Sequence, residues 1–224
     1  MLITISRATI VRGTRLFWDN QGTARQIHAT GYHPVVRHMP TESRRLTLEE
    51  FLALPEEKPA LERHPDGTIS QKAWPNVRHS ALQGGLATLI EGFASPRRLA
   101  LVFIELLTVF GGAAYVPDLA VYIWERILWT SEGELPDDFT EAPDITGEIV
   151  AAGENATALV RKCLWYVENG VKLALLVDPK DRSVVVFRPN GLPRVLGGAD
   201  PIDLSEVLPE FQATVEQLFS ALKN

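Results

Sequence analysis

Two periods of hydrophobic spacing take turns along the chain and divide it into elements. Thr47-Leu48-Glu49-Glu50 sets a glutamate three residues after a threonine N-cap, a capping box, and Leu48, Phe51 and Leu52 follow at helical spacing up to Pro55. Leu61-Glu62, Asp66-Gly67 and Thr68-Ile69 read as the arms and turn of a short hairpin within residues 59–70. From Asn76 to Phe93 the spacing is helical again, with Leu82, Leu86, Leu89, Ile90 and Phe93 on one stripe. Gly84-Gly85 either weakens this helix or admits a neighbour closely. Strands are expected over residues 99–110, ended by Gly111-Gly112, over residues 115–124 and over residues 144–151, with a polar, acidic loop at 125–142. A helix over residues 155–169 stops at Gly170. Residues 172–177 form a buried strand that pairs with residues 183–187 across Pro179-Lys180-Asp181-Arg182. Asn190-Gly191 marks another turn, and a second capping box, Thr214 with Gln217, opens a last helix carrying Val215, Leu218, Phe219 and Leu222.

This order predicts a mixed α/β (α+β) domain, a central mixed β-sheet flanked by helices. Hydrophobic residues make up 46% of the 224, enough to build a core, and no apolar run approaches the ~20 residues of a membrane span. Residues 1–38 keep neither period for long; a strand over residues 1–10 is the most they suggest, and arginine-rich polar stretches follow. No apolar core stands behind the early arginines, which argues against a secretory signal. Met39-Pro40-Thr41-Glu42 opens the well-patterned part, so the domain is expected over 39–224. Residues 1–38 are then an extension, unstructured or translated from a misassigned start. That extension carries a net charge of +4 and the remainder −10, of a total of −6. An acidic body argues against nonspecific coating of nucleic acid but suits a hard cation, whose ligands are carboxylates. The single cysteine, Cys163, rules out an internal disulfide and a cysteine-rich zinc site, and fits a reducing cytoplasm.

Three polar residues stand oddly for purely structural parts. Asp118, in Val116-Pro117-Asp118-Leu119-Ala120-Val121, and Glu148, in Asp144-Ile145-Thr146-Gly147-Glu148-Ile149-Val150, are acids within strands suited to burial. Lys162 sits at the edge of the apolar face drawn by Leu159, Cys163 and Val167, beside Tyr166, where its stem can follow the core and its ammonium reach the end of the sheet. Two carboxylates can bind magnesium, which lowers the pKa of a bound water and neutralises a phosphoryl oxygen, while a lysine orients or helps deprotonate the water. Together they describe phosphodiester hydrolysis. The plainer reading keeps Asp118 as the cap of a strand end and Glu148 as an ion-pair partner of Lys162.

The stretch from Leu46 to Leu222 resembles the Uma-two family of restriction-endonuclease-like proteins, within the PD-(D/E)XK nuclease superfamily. The resemblance rests on residues 46–55, Leu61-Glu62 with Asp66-Gly67, His79, Val116-Pro117-Asp118, Pro143-Asp144 with Glu148, Lys162 with Tyr166, Gly170-Val171 and Val177-Asp178-Pro179. It implies a restriction-endonuclease-like core and an enzyme, a Mg2+- or Mn2+-dependent endonuclease acting on DNA. Asp118 and Glu148 would be metal ligands, Lys162 the catalytic lysine and Glu62 a further acid from the hairpin. Val150 stands where the superfamily's strand lysine usually lies, so Lys162 replaces it from the following helix. Ala151-Ala152-Gly153 replaces the family's common Ser-Pro pair, and Thr146-Gly147 its bulky apolar pair before the acid.

Other features weigh less. His79, near a helix start, could contact phosphate or substrate but more often such a histidine is partly exposed. Cys163 reads as structural. Trp124, Trp129 and Trp165 read as packing before base stacking, and the acids at 132–141 as a solvated loop. The acidic body implies a specific substrate, a basic patch around the cleft, or a partner. A homodimer would bring two active sites to two strands. The rival function is a nuclease-fold module that binds nucleic acid or regulates without cutting. No membrane association is expected.

Overall fold

A computed structural model of the chain describes residues 45–223 and, before them, three strands: β1 (Thr9–Val11), β2 (Thr14–Trp18) and β3 (Ala24–Gln26). The chain divides into two units, residues 1–42 and 43–224. In the first, β1, β2 and β3 form an antiparallel sheet in that order. The rest of the expected extension, and the reading of Met39 as a start, lie outside the described residues.

The second unit opens with α1 (Leu48–Leu52), closed by the Thr47–Glu50 capping box that the spacing predicts. The hairpin follows as β4 (Leu61–Arg63) and β5 (Ile69–Gln71), then α2 (Val77–Ala94). The expected strand over 99–110 is two strands, β6 (Ala100–Ile104) and β7 (Thr108–Phe110), and they lie in different sheets. Between them Glu105 takes a positive φ of 52° and the chain changes direction. The expected strand over 115–124 is divided likewise into β8 (Ala113–Tyr115) and β9 (Leu119–Ile123), at Pro117, which has no N–H to give a ladder. Then come β10 (Ile145–Ile149), α3 (Ala156–Glu168), β11 (Leu173–Asp178), β12 (Ser183–Phe187), the unanticipated β13 (Arg194–Gly197) and α4 (Val215–Phe219) with its own capping box.

Six strands form the central sheet in the order β13-β12-β11-β10-β9-β6; β10 and β11 run parallel and every other pair antiparallel. It is the mixed sheet the element order implies. Its two faces are read off the alternation of β11. Leu173, Leu175 and Val177 join Leu82, Leu86 and Ile90 of α2 and Leu218 and Phe219 of α4 in one core. Ala174 and Leu176 join Leu159, Cys163 and Tyr166 of α3 in another. A strand buried on both faces reads as a continuous apolar run, as 173–177 does. A second sheet, β5-β4-β8-β7, adds Phe110 and Tyr115 to the core under α3.

Two glycines set how closely the layers approach. A Cβ on Gly85 would stand 2.9 Å from that of Ala221, so α2 stays unbroken and takes the C-terminal segment against it. A Cβ on Gly147 would meet Leu119 and Leu86 at 3.3 Å, so α2 sits low over the strand that carries Glu148.

Candidate active site

The register brings the two strand acids together. Leu119 pairs with Gly147, so Asp118 and Glu148 lie one step further along the same two neighbouring strands. Each acid is held by two side chains one helical turn apart, residues i and i+4 of a helix on its own side. On α2, His79 Nε2 lies 3.1 Å from Asp118 Oδ2, and Gln83 donates to the Asp118 carbonyl at 3.0 Å. On α3, Lys162 Nζ lies 2.9 Å from Glu148 Oε1, and the Tyr166 hydroxyl donates to the same oxygen at 2.8 Å. Asn76 caps α2 by accepting the His79 N–H at 3.0 Å, which starts the helix where His79 reaches Asp118. The amide of Ile149 donates to Asp118 Oδ2 at 2.7 Å and fixes that carboxylate to β10.

Glu62 arrives from β4. Its Oε1 accepts the Val116 N–H at 2.9 Å and the Lys162 ammonium at 2.7 Å, so Lys162 bridges Glu62 and Glu148. The Lys162 nitrogen also stands 5.1 Å over the ring of Tyr115. All five residues singled out from the sequence (Glu62, His79, Asp118, Glu148 and Lys162) therefore meet in one place. His79 is 4% exposed rather than the partly exposed helix-end histidine of the commoner case, because its ring is packed onto the acid. Its Nδ1 has no hydrogen-bond partner among the described residues.

Sequence reading missed Lys72. Its ammonium donates to Asp118 Oδ1 at 2.6 Å and to the Val116 carbonyl at 2.7 Å. The signal was available in the hairpin. Its ladder runs one residue beyond β5, where the Lys72 N–H meets the Ala60 carbonyl, and period-two alternation then puts Lys72 on the face of Glu62 and Ser70.

Electrostatics separates the two acids. Burial opposes the charge of Asp118, but His79 and Lys72 outweigh it and bring its pKa down to about 2. Burial dominates at Glu148 and pushes its carboxyl above the ordinary value against the pull of Lys162 and Lys72. Lys162 is buried too, yet Glu148 and Glu62 raise its pKa, so its ammonium persists. Lys72 is likewise raised, by Glu148 and Asp118 against its burial.

A cleft of about 620 Å³ opens on Asp118, Lys72 and His79; its walls include Leu52, Trp74 and Ile104. Of the three alternatives that the acidic body left open, a basic patch is not what the described lining shows: Glu56, Glu57 and Glu105 line the cleft against Lys58 and Lys72. Of the tryptophans weighed for stacking, Trp165 packs on Phe110 and Tyr115, and Trp124 on Trp129.

The donor set suits a hard cation. Asp118 Oδ1 and the Val116 carbonyl already converge on one positive nitrogen, with Glu148 beside it. Among the described residues no three His, Cys, Asp or Glu side chains form a metal cage. A metal here would rest on the two acids, backbone oxygen and water, as magnesium commonly does.

Comparison with known proteins bears on the family and the fold. A family model described as "Putative restriction endonuclease", Uma2, matches residues 48–216. A solved structure described as "a putative nuclease belonging to DUF820", from Anabaena variabilis, superposes with a TM-score of 0.76 at 35% identity, covering 80% of this chain and 99% of its own. No curated protein matches. Among the described residues no helix is long and apolar enough to cross a membrane.

Proposed function

The chain belongs to the Uma2 family of restriction-endonuclease-like proteins, and on that premise we propose that it is a metal-dependent endonuclease hydrolysing DNA phosphodiester bonds. The observation that carries the reading is the charge of the buried cluster. Glu62, Asp118 and Glu148 outnumber Lys72 and Lys162 by one, and burial, with Asp118 and Glu62 beside it, raises the pKa of Glu148 against the pull of the two lysines. A divalent cation with one phosphodiester anion adds a net single positive charge and restores the balance. Asp118 and Glu148 hold the Mg2+ or Mn2+ ion. Such an ion acidifies a bound water and neutralises charge on the phosphoryl oxygen.

The remaining groups position and stabilise. His79, Gln83 and the Ile149 amide keep Asp118 aimed at the cleft. Tyr166 and Lys162 fix Glu148. Lys162 stays protonated between two acids, so it orients the attacking water and stabilises developing charge rather than taking a proton. Water attacks phosphorus, and one ester oxygen leaves with the proton the water gives up. The acidic cleft disfavours loose binding along any duplex, so the substrate is a specific or structured DNA site. Two copies would cut two strands, and a reducing cytoplasm suits the single buried cysteine.

A second reading, a nuclease-fold binding or regulatory module, is favoured by one observation: both strand acids already carry internal ammonium partners. Nicking of supercoiled plasmid by the full chain separates the two. Cutting with Mg2+ or Mn2+, stopped by a chelator and absent in Asp118→Ala, is the result expected of the enzyme. Plasmid binding without cutting in either metal supports the module.

A further inference from the structure

Two ammonium groups serve the buried acids, and they are held differently. Lys162 projects from the middle of α3, pairs with two acids and lies beneath Tyr115 and Tyr166. It is not among the residues lining the cleft. Lys72 stands just past the end of β5, where residues 72–76 have no regular structure. It lines the cleft, and its side chain is 14% exposed against 9% for Lys162. Its two oxygen partners, one carboxylate and one carbonyl, are of the type that binds a hard cation.

We infer that Lys72 is a tethered counter-ion in the cation seat of Asp118, and that the divalent metal binds by displacing its ammonium. This rests on the metal-dependent reading above and adds a competitor to it. The seat cannot hold both: Oδ1 of Asp118 is the oxygen that takes the ammonium of Lys72, with Oδ2 occupied by His79 and the Ile149 amide, and a second positive charge beside it would be repelled by the first. Asp118 does not collapse when the ammonium leaves, because its Oδ2 remains fixed by the Ile149 amide and by His79. The stem of Lys72 carries three rotatable methylene bonds beyond Cβ, so the ammonium can swing into the cleft while its backbone stays on the Ala60 carbonyl and the sheet does not move. There it faces an anionic substrate and supplies part of the positive charge that the walls lack. Without metal, the lysine keeps a buried carboxylate neutralised; with metal, it exchanges that partner for phosphate.

The test is Mn2+ binding to the full chain, read by loss of the free-ion electron paramagnetic resonance signal, with circular dichroism checking the fold. Wild type, Lys72→Met, Lys72→Gln and Asp118→Asn are compared. Met keeps the stem without charge; Gln keeps a donor for Asp118 and Val116 and guards against a failure to fold. Displacement predicts binding at least tenfold tighter in both Lys72 variants than in wild type, and lost in Asp118→Asn. Equal or weaker binding in folded Lys72 variants, with wild type binding through Asp118, overturns the displacement and leaves the metal-dependent reading standing. No binding in any form overturns both. If neither Lys72 variant folds, Lys72 is a counter-ion that cannot leave, and the displacement is wrong.

Discussion

A buried acid stands at each end of β10, and the two ends are built differently. Asp144 precedes the strand with 0% exposure; Glu148 lies near its far end with 2%. Asp144 accepts from the Ile123 amide at 2.8 Å and from Arg126 at 2.6 Å, and pairs with Lys172 at 3.0 Å. Arg126 also holds Glu141, so the polar loop before β10 is tied down by two acids against two cations. Both cations reach solvent, with about a third of each side chain exposed. At the other end three acids meet two cations, the ammonium groups are covered, and Asp118 faces a cleft. Burial of an acid is common to both ends. Excess negative charge beside an opening distinguishes the one assigned to chemistry.

Lys162 gives the largest expected break in that contrast. Lys162→Met leaves Glu62 and Glu148 buried without their shared ammonium, and urea melts should show a loss of about 3–5 kcal/mol. Asp144→Asn should cost less, about 2 kcal/mol by the same melts, because Arg126 and Lys172 can turn to water when their acid is neutralised.

Acid acts on the Asp118 end by a similar amount. The pKa of Asp118 falls from 3.8 to about 2 on folding. Its contribution, roughly 2 kcal/mol, is therefore complete above the unfolded value and lost as pH falls through the folded one. Stability measured between about pH 4 and pH 2 should drop more steeply in wild type than in Asp118→Asn, both without metal. The smallest effect belongs to the exposed Arg126–Glu141 pair: Glu141→Ala should change stability by less than about 0.5 kcal/mol.

Much of this was legible from spacing. The capping boxes at Thr47 and Thr214 marked two helix starts, and the run 173–177 marked a strand covered on both faces. The strand acids and Lys162 stood out because charge inside an apolar pattern demands a partner. The break at Glu105 did not show, since apolar residues continue through Leu106 and Leu107 while the chain passes between sheets. β13 buries only Leu196 of its four residues, too little for a period. Lys72, and the ion pairs of Asp144, were hidden for a shared reason. Their significance lies in partners far along the chain, Asp118 for one and Arg126 with Lys172 for the other.

The most direct test sets the two ends against each other in one assay: the single-turnover rate of metal-dependent plasmid cleavage, per folded molecule, for Asp118→Asn and Asp144→Asn. The account predicts a loss of about a thousandfold for Asp118→Asn and a rate within a few fold of wild type for Asp144→Asn. Equal losses in the two, or full cleavage by Asp118→Asn, would contradict it.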